Sequence, residues 1–187
     1  MIDIKPLSPK RFTHCLGVAK CCYDLAMLWG GDPMKAYLAG LFHDIARELP
    51  KEQLLSLARE HDYPIDQATL DAPILIHGAV SAIIAKENYH IIDDDILTAM
   101  ERHTLGHEDA GLLDKILFLA DAIEPNRQYE GVEELRELAR RNLPLAVLRA
   151  TEHSLQYLQK RNLSPHSRTL AMQRQLQREL KTKQDQE

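Results

Sequence analysis

No run in the chain approaches the roughly 20 uncharged apolar residues that a membrane-spanning helix needs. Its opening, Met1-Ile2-Asp3-Ile4-Lys5-Pro6, also lacks the apolar segment of a secretion signal. A soluble, unprocessed protein with no membrane partner is therefore expected. Cysteine is scarce as well. Cys15, Cys21 and Cys22 are an odd number crowded into one segment, with no CxxC spacing and none elsewhere to pair with. That usage argues against a disulfide framework and for a reducing, cytoplasmic setting. A basic excess is missing too. The net charge is −5 and the isoelectric point is near 6.0, whereas a phosphate-backbone binder needs a basic face, so a nucleic-acid polymer is not expected as partner.

Alternating apolar and polar positions are absent over any useful length, as are internal repeats, low-complexity tracts and Gly/Ser linkers. The expected fold is all-α and single-domain, since 187 residues suffice to bury a core without disulfides. What the chain does have is a succession of helix starts. Ser8-Pro9 predicts a helix running to about Trp29 and stopped by Gly30-Gly31. Asp32-Pro33 opens a second, expected to carry His43-Asp44 near its end and to finish before Pro50. Further helices are expected over 51–61, 73–89, 94–103, 110–123, 131–141 and 144–161. Ser164-Pro165 opens a last one that turns polar after Met172, so the core is expected over 8–172 and a polar tail over 173–187.

Against this background His43-Asp44 stands out, because Ala36-Tyr37-Leu38-Ala39-Gly40-Leu41-Phe42 before it and Ile45-Ala46 after it read as a buried helix. An imidazole and a carboxylate taken out of water are costly unless paired, hydrogen-bonded or bound to metal. Other polar residues are embedded in the same way. His14 shares a stripe with Val18, Cys21 and Leu25; His77 follows Ile74-Leu75-Ile76; His103 closes the run holding Ile96, Leu97, Ala99 and Met100; Asp121 ends Ile116-Leu117-Phe118-Leu119-Ala120. Any one alone reads more readily as a core residue hydrogen-bonded to a carbonyl. Their joint occurrence points to a metal site.

The order His14, His43-Asp44, Asp121 resembles the HD-domain phosphohydrolase superfamily. The longer signatures, Ala39-Gly40-Leu41-Phe42-His43-Asp44-Ile45-Ala46-Arg47, Ile76-His77-Gly78, His103-Thr104-Leu105-Gly106 and Leu119-Ala120-Asp121-Ala122-Ile123-Glu124-Pro125-Asn126-Arg127, are similar to its YqeK-type branch, the symmetrical diadenosine tetraphosphate hydrolases. The likeness spans roughly 11–170 and departs from many relatives at Arg47, where they have Lys, and at His107. It implies a helical HD-domain bundle and a metal-dependent cleavage of diadenosine tetraphosphate to two ADP by a metal-bound hydroxide.

The metal ligands so implied are His14, His43, Asp44, His77, His103 and Asp121, with Asp44 bridging two ions and iron favoured over manganese or another first-row metal. Asp44, Arg47 and Arg127 are the expected catalytic residues; Arg47, Thr104 and Arg127 are expected against the substrate. On a continuing helix Arg47 would share the face of His43, although a charge complementing the helix dipole explains it as well. The expected partner is a small nucleotide, diadenosine tetraphosphate or an ADP-like product, and a homodimer is left open. Enzymatic alternatives are hydrolysis of a deoxynucleoside triphosphate, a nucleoside monophosphate or a guanosine polyphosphate. A non-catalytic nucleotide-binding regulator is the alternative from another class.

Other polar features have plainer readings. Asp93-Asp94-Asp95 reads as a helix N-terminus rich in Asp. His61, His90, His107, His153 and His166 read as solvated, and 133–141 as a charged surface face.

Overall fold

The computed structural model describes residues 1–3 and 5–184, and among these every regular element is helical. Ten α-helices follow in order: α1 (Pro9–Trp29), α2 (Pro33–Phe42), α3 (Lys51–Glu60), α4 (Gln67–Asp71), α5 (His77–Tyr89), α6 (Asp94–Arg102), α7 (Leu112–Ile123), α8 (Val132–Arg141), α9 (Leu143–Lys160) and α10 (Ser167–Gln184). A 3₁₀ turn, Pro73–Ile76, precedes α5.

Most starts follow the expected chemistry. Ser8 Oγ accepts the amide of Arg11 at 3.2 Å with Pro9 at the first helical position. Asp32 Oδ1 accepts the amides of Met34 and Lys35 at 2.9 and 3.0 Å, and Asp93 accepts those of Asp95 and Ile96. The latter accounts for the acidic triplet, with Lys35 Nζ bonded at 2.8 Å to both Asp93 and Asp95.

Three expectations are corrected and one element is added. The helix expected to carry His43-Asp44 ends at Phe42, and 43–48 run on as successive turns with i→i−3 bonds such as Arg47 N–H to the Asp44 carbonyl at 2.9 Å. The amide of Ala46, which a continuing helix would give to Phe42, goes instead to Ser81 Oγ at 3.1 Å. Arg47 therefore does not extend a helical face with His43. The helix expected over 73–89 begins with the 3₁₀ turn, and α5 starts only at His77. A short α4, capped by Asp66 Oδ1 on the Thr69 amide at 2.9 Å, was not foreseen. Finally, the core does not stop at 172. The helix α10 continues to Gln184, burying Leu176 beside Met172, with Leu180 packed against the same core and Glu179 paired to Lys115 at 2.8 Å.

The centre of the molecule is where α1, α2 and α7 meet, filled by Val18, Cys22, Leu25, Ala39, Leu117 and Leu119. The approach of α1 and α2 is close enough that a Cβ on Gly40 would lie 2.8 Å from Ala19 Cα. Glycine is what allows α2 to pass at that distance, and this places its C-terminal end against the middle of α1.

Candidate metal centre

Five chain segments deliver polar side chains to one point. His14 comes from α1, His43 and Asp44 from the turns after α2, His77 from the first position of α5, His103 from the residue after α6, and Asp121 from the last turn of α7. All four imidazoles are buried, His43 completely, and Asp44 is 3 % exposed.

The rings are oriented by what their Nδ1 atoms touch. In three of them Nδ1 meets the carbonyl three residues back: Gly40 for His43 at 2.7 Å, Ile74 for His77 at 2.6 Å, Met100 for His103 at 2.7 Å. A carbonyl only accepts, so Nδ1 carries the hydrogen and Nε2 is left with a free lone pair. His14 Nδ1 meets the carboxylate of Glu124 at 3.2 Å. Every Nε2 then faces Asp44, and those of His14 and His43 face Asp121 as well. Asp44 Oδ1 lies 2.9 Å from His77 Nε2 and 3.7 Å from His103 Nε2, while its Oδ2 lies 3.5 Å from His43 Nε2 and 3.7 Å from His14 Nε2. Asp121 Oδ1 is 3.0 Å from His14 Nε2 and 4.0 Å from His43 Nε2.

Two donor sets with atoms within 4.8 Å of one another result: His14, His43 and Asp121, and His43, Asp44 and His103. They fit a metal on an independent observation. His14 Nε2 and His43 Nε2 are buried and make no directional hydrogen bond to any described residue. A buried lone pair left without a donor is costly, and a metal ion is the partner that an imidazole and carboxylate set suits.

Electrostatics follow the same arrangement. Complete burial pushes His43 down to about 4, against the pull of Asp44, so its ring is neutral at neutral pH. Burial opposes charge on Asp44, but in acid, where the surrounding rings take up protons, His43, His103 and His77 hold its carboxyl well below the usual range. Asp121 is held down in the same way by His14, His43 and Arg127. Arginines flank both anions: Arg11 Nη1 donates to Asp44 Oδ2 at 2.6 Å, and Arg127 donates to Asp121 Oδ1 at 2.6 Å and to the Asp121 carbonyl at 2.8 Å.

The structure thus gathers the six residues singled out as metal ligands, with Arg127 beside them. Thr104 Oγ1 sits 3.4 Å from His103 Nε2 and 3.5 Å from His77 Nε2. Arg47 is half-buried and makes no ion pair among the described residues. Arg11 was missed, although its place three residues before His14 on the same helix puts it on the same face. Three of the histidines read as solvated are not. His166 Nε2 lies 2.8 Å from Asp66 Oδ2 with its side chain 7 % exposed, because the start of α10 packs on the α4 cap. His153 is half-buried, edge-on to Tyr129. His107 is also half-buried, its Nδ1 accepting the Asp109 amide at 3.1 Å.

Known proteins share this arrangement of sequence and fold. The HD domain family model matches residues 11–126. Over 174 residues, 92% of either chain, the sequence is 38% identical to a symmetrical bis(5'-nucleosyl)-tetraphosphatase of Halalkalibacterium halodurans. Over 156 residues, 83% of either chain, it is 35% identical to the protein of the same name from Bacillus subtilis. An HD superfamily hydrolase involved in NAD metabolism from Clostridium acetobutylicum, known from its crystal structure, matches with a TM-score of 0.89 at 35% identity, covering 91% of this chain and 90% of that one. The chain therefore belongs to the HD-domain family, alongside the symmetrical bis(5'-nucleosyl)-tetraphosphatases that it resembles over most of its length.

Proposed function

We propose that this protein hydrolyses diadenosine tetraphosphate symmetrically to two ADP, in the cytoplasm, with a pair of iron ions at the six-residue centre. The observation that carries the reading is Asp44, whose two oxygens face different histidine pairs, Oδ1 toward His77 and His103 and Oδ2 toward His14 and His43. A carboxylate so placed suits a bridge between two ions, with Asp121 completing one ligand set. Imidazole and carboxylate donors suit iron, with manganese as the alternative. Such ions, when bound, supply a nucleophile from water at neutral pH and positive charge against the phosphoryl oxygens.

The chain's own residues do the rest. His43, His77 and His103 are each held in one tautomer by a main-chain carbonyl at Nδ1, and the His14 ring is oriented by Glu124, so the donors are directed before a metal arrives. Arg127, 39 % exposed and anchored on Asp121, keeps guanidinium hydrogens toward solvent at the rim. There it takes phosphate oxygens of the polyphosphate and steadies the departing ADP. Thr104 presents its hydroxyl beside His77 and His103, and we assign Arg47, half-buried in the turns that follow Asp44, a phosphate contact as well. The four negative charges of a tetraphosphate favour a site rimmed by arginines over one meant for a neutral ligand.

A substrate panel tests this reading. Purified protein with Fe(II) or Mn(II) should have its highest kcat/KM on diadenosine tetraphosphate, above deoxynucleoside triphosphates, nucleoside monophosphates and guanosine tetraphosphate. If diadenosine tetraphosphate is the poorest of the panel, the reading is wrong.

A further inference from the structure

His14 is set apart from the other three rings by what stands behind it. Where His43, His77 and His103 give Nδ1 to main-chain carbonyls, His14 gives it to a carboxylate 110 positions along the chain, Glu124 Oε1 at 3.2 Å. Glu124 is 2 % exposed, and no Lys or Arg side chain among the described residues pairs with its carboxylate. Burying that anion is costly without compensation, so its surroundings are informative. Oε2 accepts the main-chain and side-chain amides of Asn126 at 2.8 and 3.0 Å. From α8, Arg136 clamps the turn itself, donating to the carbonyls of Ile123, Glu124 and Arg127 at 2.8, 2.7 and 3.0 Å. From α1, Gly17 leaves the room: a Cβ there would stand 2.5 Å from Glu124 Oε2. Three elements thus cooperate to hold one carboxylate against one ring.

We propose that Glu124 is a positioning residue for the metal centre: its buried carboxylate holds the His14 ring with Nδ1–H toward Glu124 and makes Nε2 a stronger donor, so that the His14, His43, Asp121 set binds its ion more tightly than a carbonyl-backed ring would allow. An anionic acceptor draws the Nδ1 hydrogen toward itself and leaves more electron density at Nε2 than a neutral carbonyl does. The Glu124-Pro125-Asn126-Arg127 segment then has two tasks: Glu124 works from behind the metal centre and Arg127 in front of it.

This rests on the metal reading above, and the test separates the two. Metal-stripped protein is titrated with Mn(II) against a competing chelator, and the melting temperature of each metal-free protein is measured alongside. The parent should bind Mn(II); if it binds none, the proposed metal centre fails before any variant is made. Glu124→Gln keeps an amide oxygen for His14 but removes the charge, and should weaken Mn(II) binding about 10- to 100-fold with the metal-free melting temperature nearly unchanged. Gly17→Ala, which leaves every donor in place and only displaces Glu124, should weaken it in the same direction and decides the matter if Glu124→Gln does not fold. Parent-like Mn(II) affinity in the folded variants, or losses that merely track a fall in metal-free stability, would overturn the assignment while leaving the metal centre intact.

Discussion

Asp44 and the imidazoles around it show how a site can be poised by its acceptors. Because the Nδ1 atoms are engaged by oxygens, the Nε2 atoms converge on two carboxylates that remain anionic, and His43 is neutral without having to release a proton. Asp44→Ala removes the one group facing all four rings. Its activity should fall by more than the roughly 10²–10³ that loss of a single electrostatic contact costs, with far-UV circular dichroism unchanged; unfolding of the variant would instead make Asp44 a structural residue. Arg127→Ala should lower kcat/KM about 10²-fold or more and leave bound metal in place, as read by steady-state kinetics beside elemental analysis.

These residues differed in how legible they were. His14, His77, His103 and Asp121 could be seen because each interrupts an apolar run. Arg11 could not, since it lies in the exposed first turn of α1 where an arginine needs no explanation. The role of Glu124 depends on contacts with Gly17 and Asn126 that only the folded chain brings together.

At the scale of the helices, Ser8, Asp32 and Asp93 made starts easy to place, because capping is a local interaction. Ends set by distant partners were harder. The stop at Phe42 depends on Ser81 taking the Ala46 amide, 35 positions away, while Ile45 and Ala46 continue an apolar helical pattern. The burial of Leu176 likewise depends on what α10 packs against, within a segment that reads as polar. Two predictions belong here. Gly40→Ala forces a methyl onto the α1 backbone and should cost about 1–3 kcal/mol, seen as a lower urea midpoint; unchanged stability would mean that α1 and α2 separate easily. Burial pushes Cys15 and Cys21 up to about 12, and Cys22 is raised as well. Since the thiolate is the reactive form, raising the pKa lowers reactivity at any pH below it. All three should resist a disulfide reagent at pH 8 until urea unfolds the protein, and rapid labelling of the native state would contradict their placement.

For the molecule as a whole, the proposed metal binding would be linked to folding. An ion held by the native state and not by the unfolded chain adds about 2.7 kcal/mol at a hundredfold excess over Kd, which for a chain of this size is roughly 5–10 °C in melting temperature. Metal-stripped protein should gain about that much on adding Mn(II), and a flat response would leave the centre without its ion. Acid acts in the opposite direction. Asp44 and Asp121 are held below the usual carboxylate range when folded, so below about pH 4 the unfolded chain takes up protons that the native state refuses, and stability falls with pH. The urea midpoint of metal-free protein should therefore be lower at pH 3 than at pH 5. Most direct of all is the identity of the products. Diadenosine tetraphosphate incubated with the metal-loaded protein and resolved by anion-exchange chromatography should yield ADP alone. Equal amounts of AMP and ATP, or no cleavage, would contradict the account.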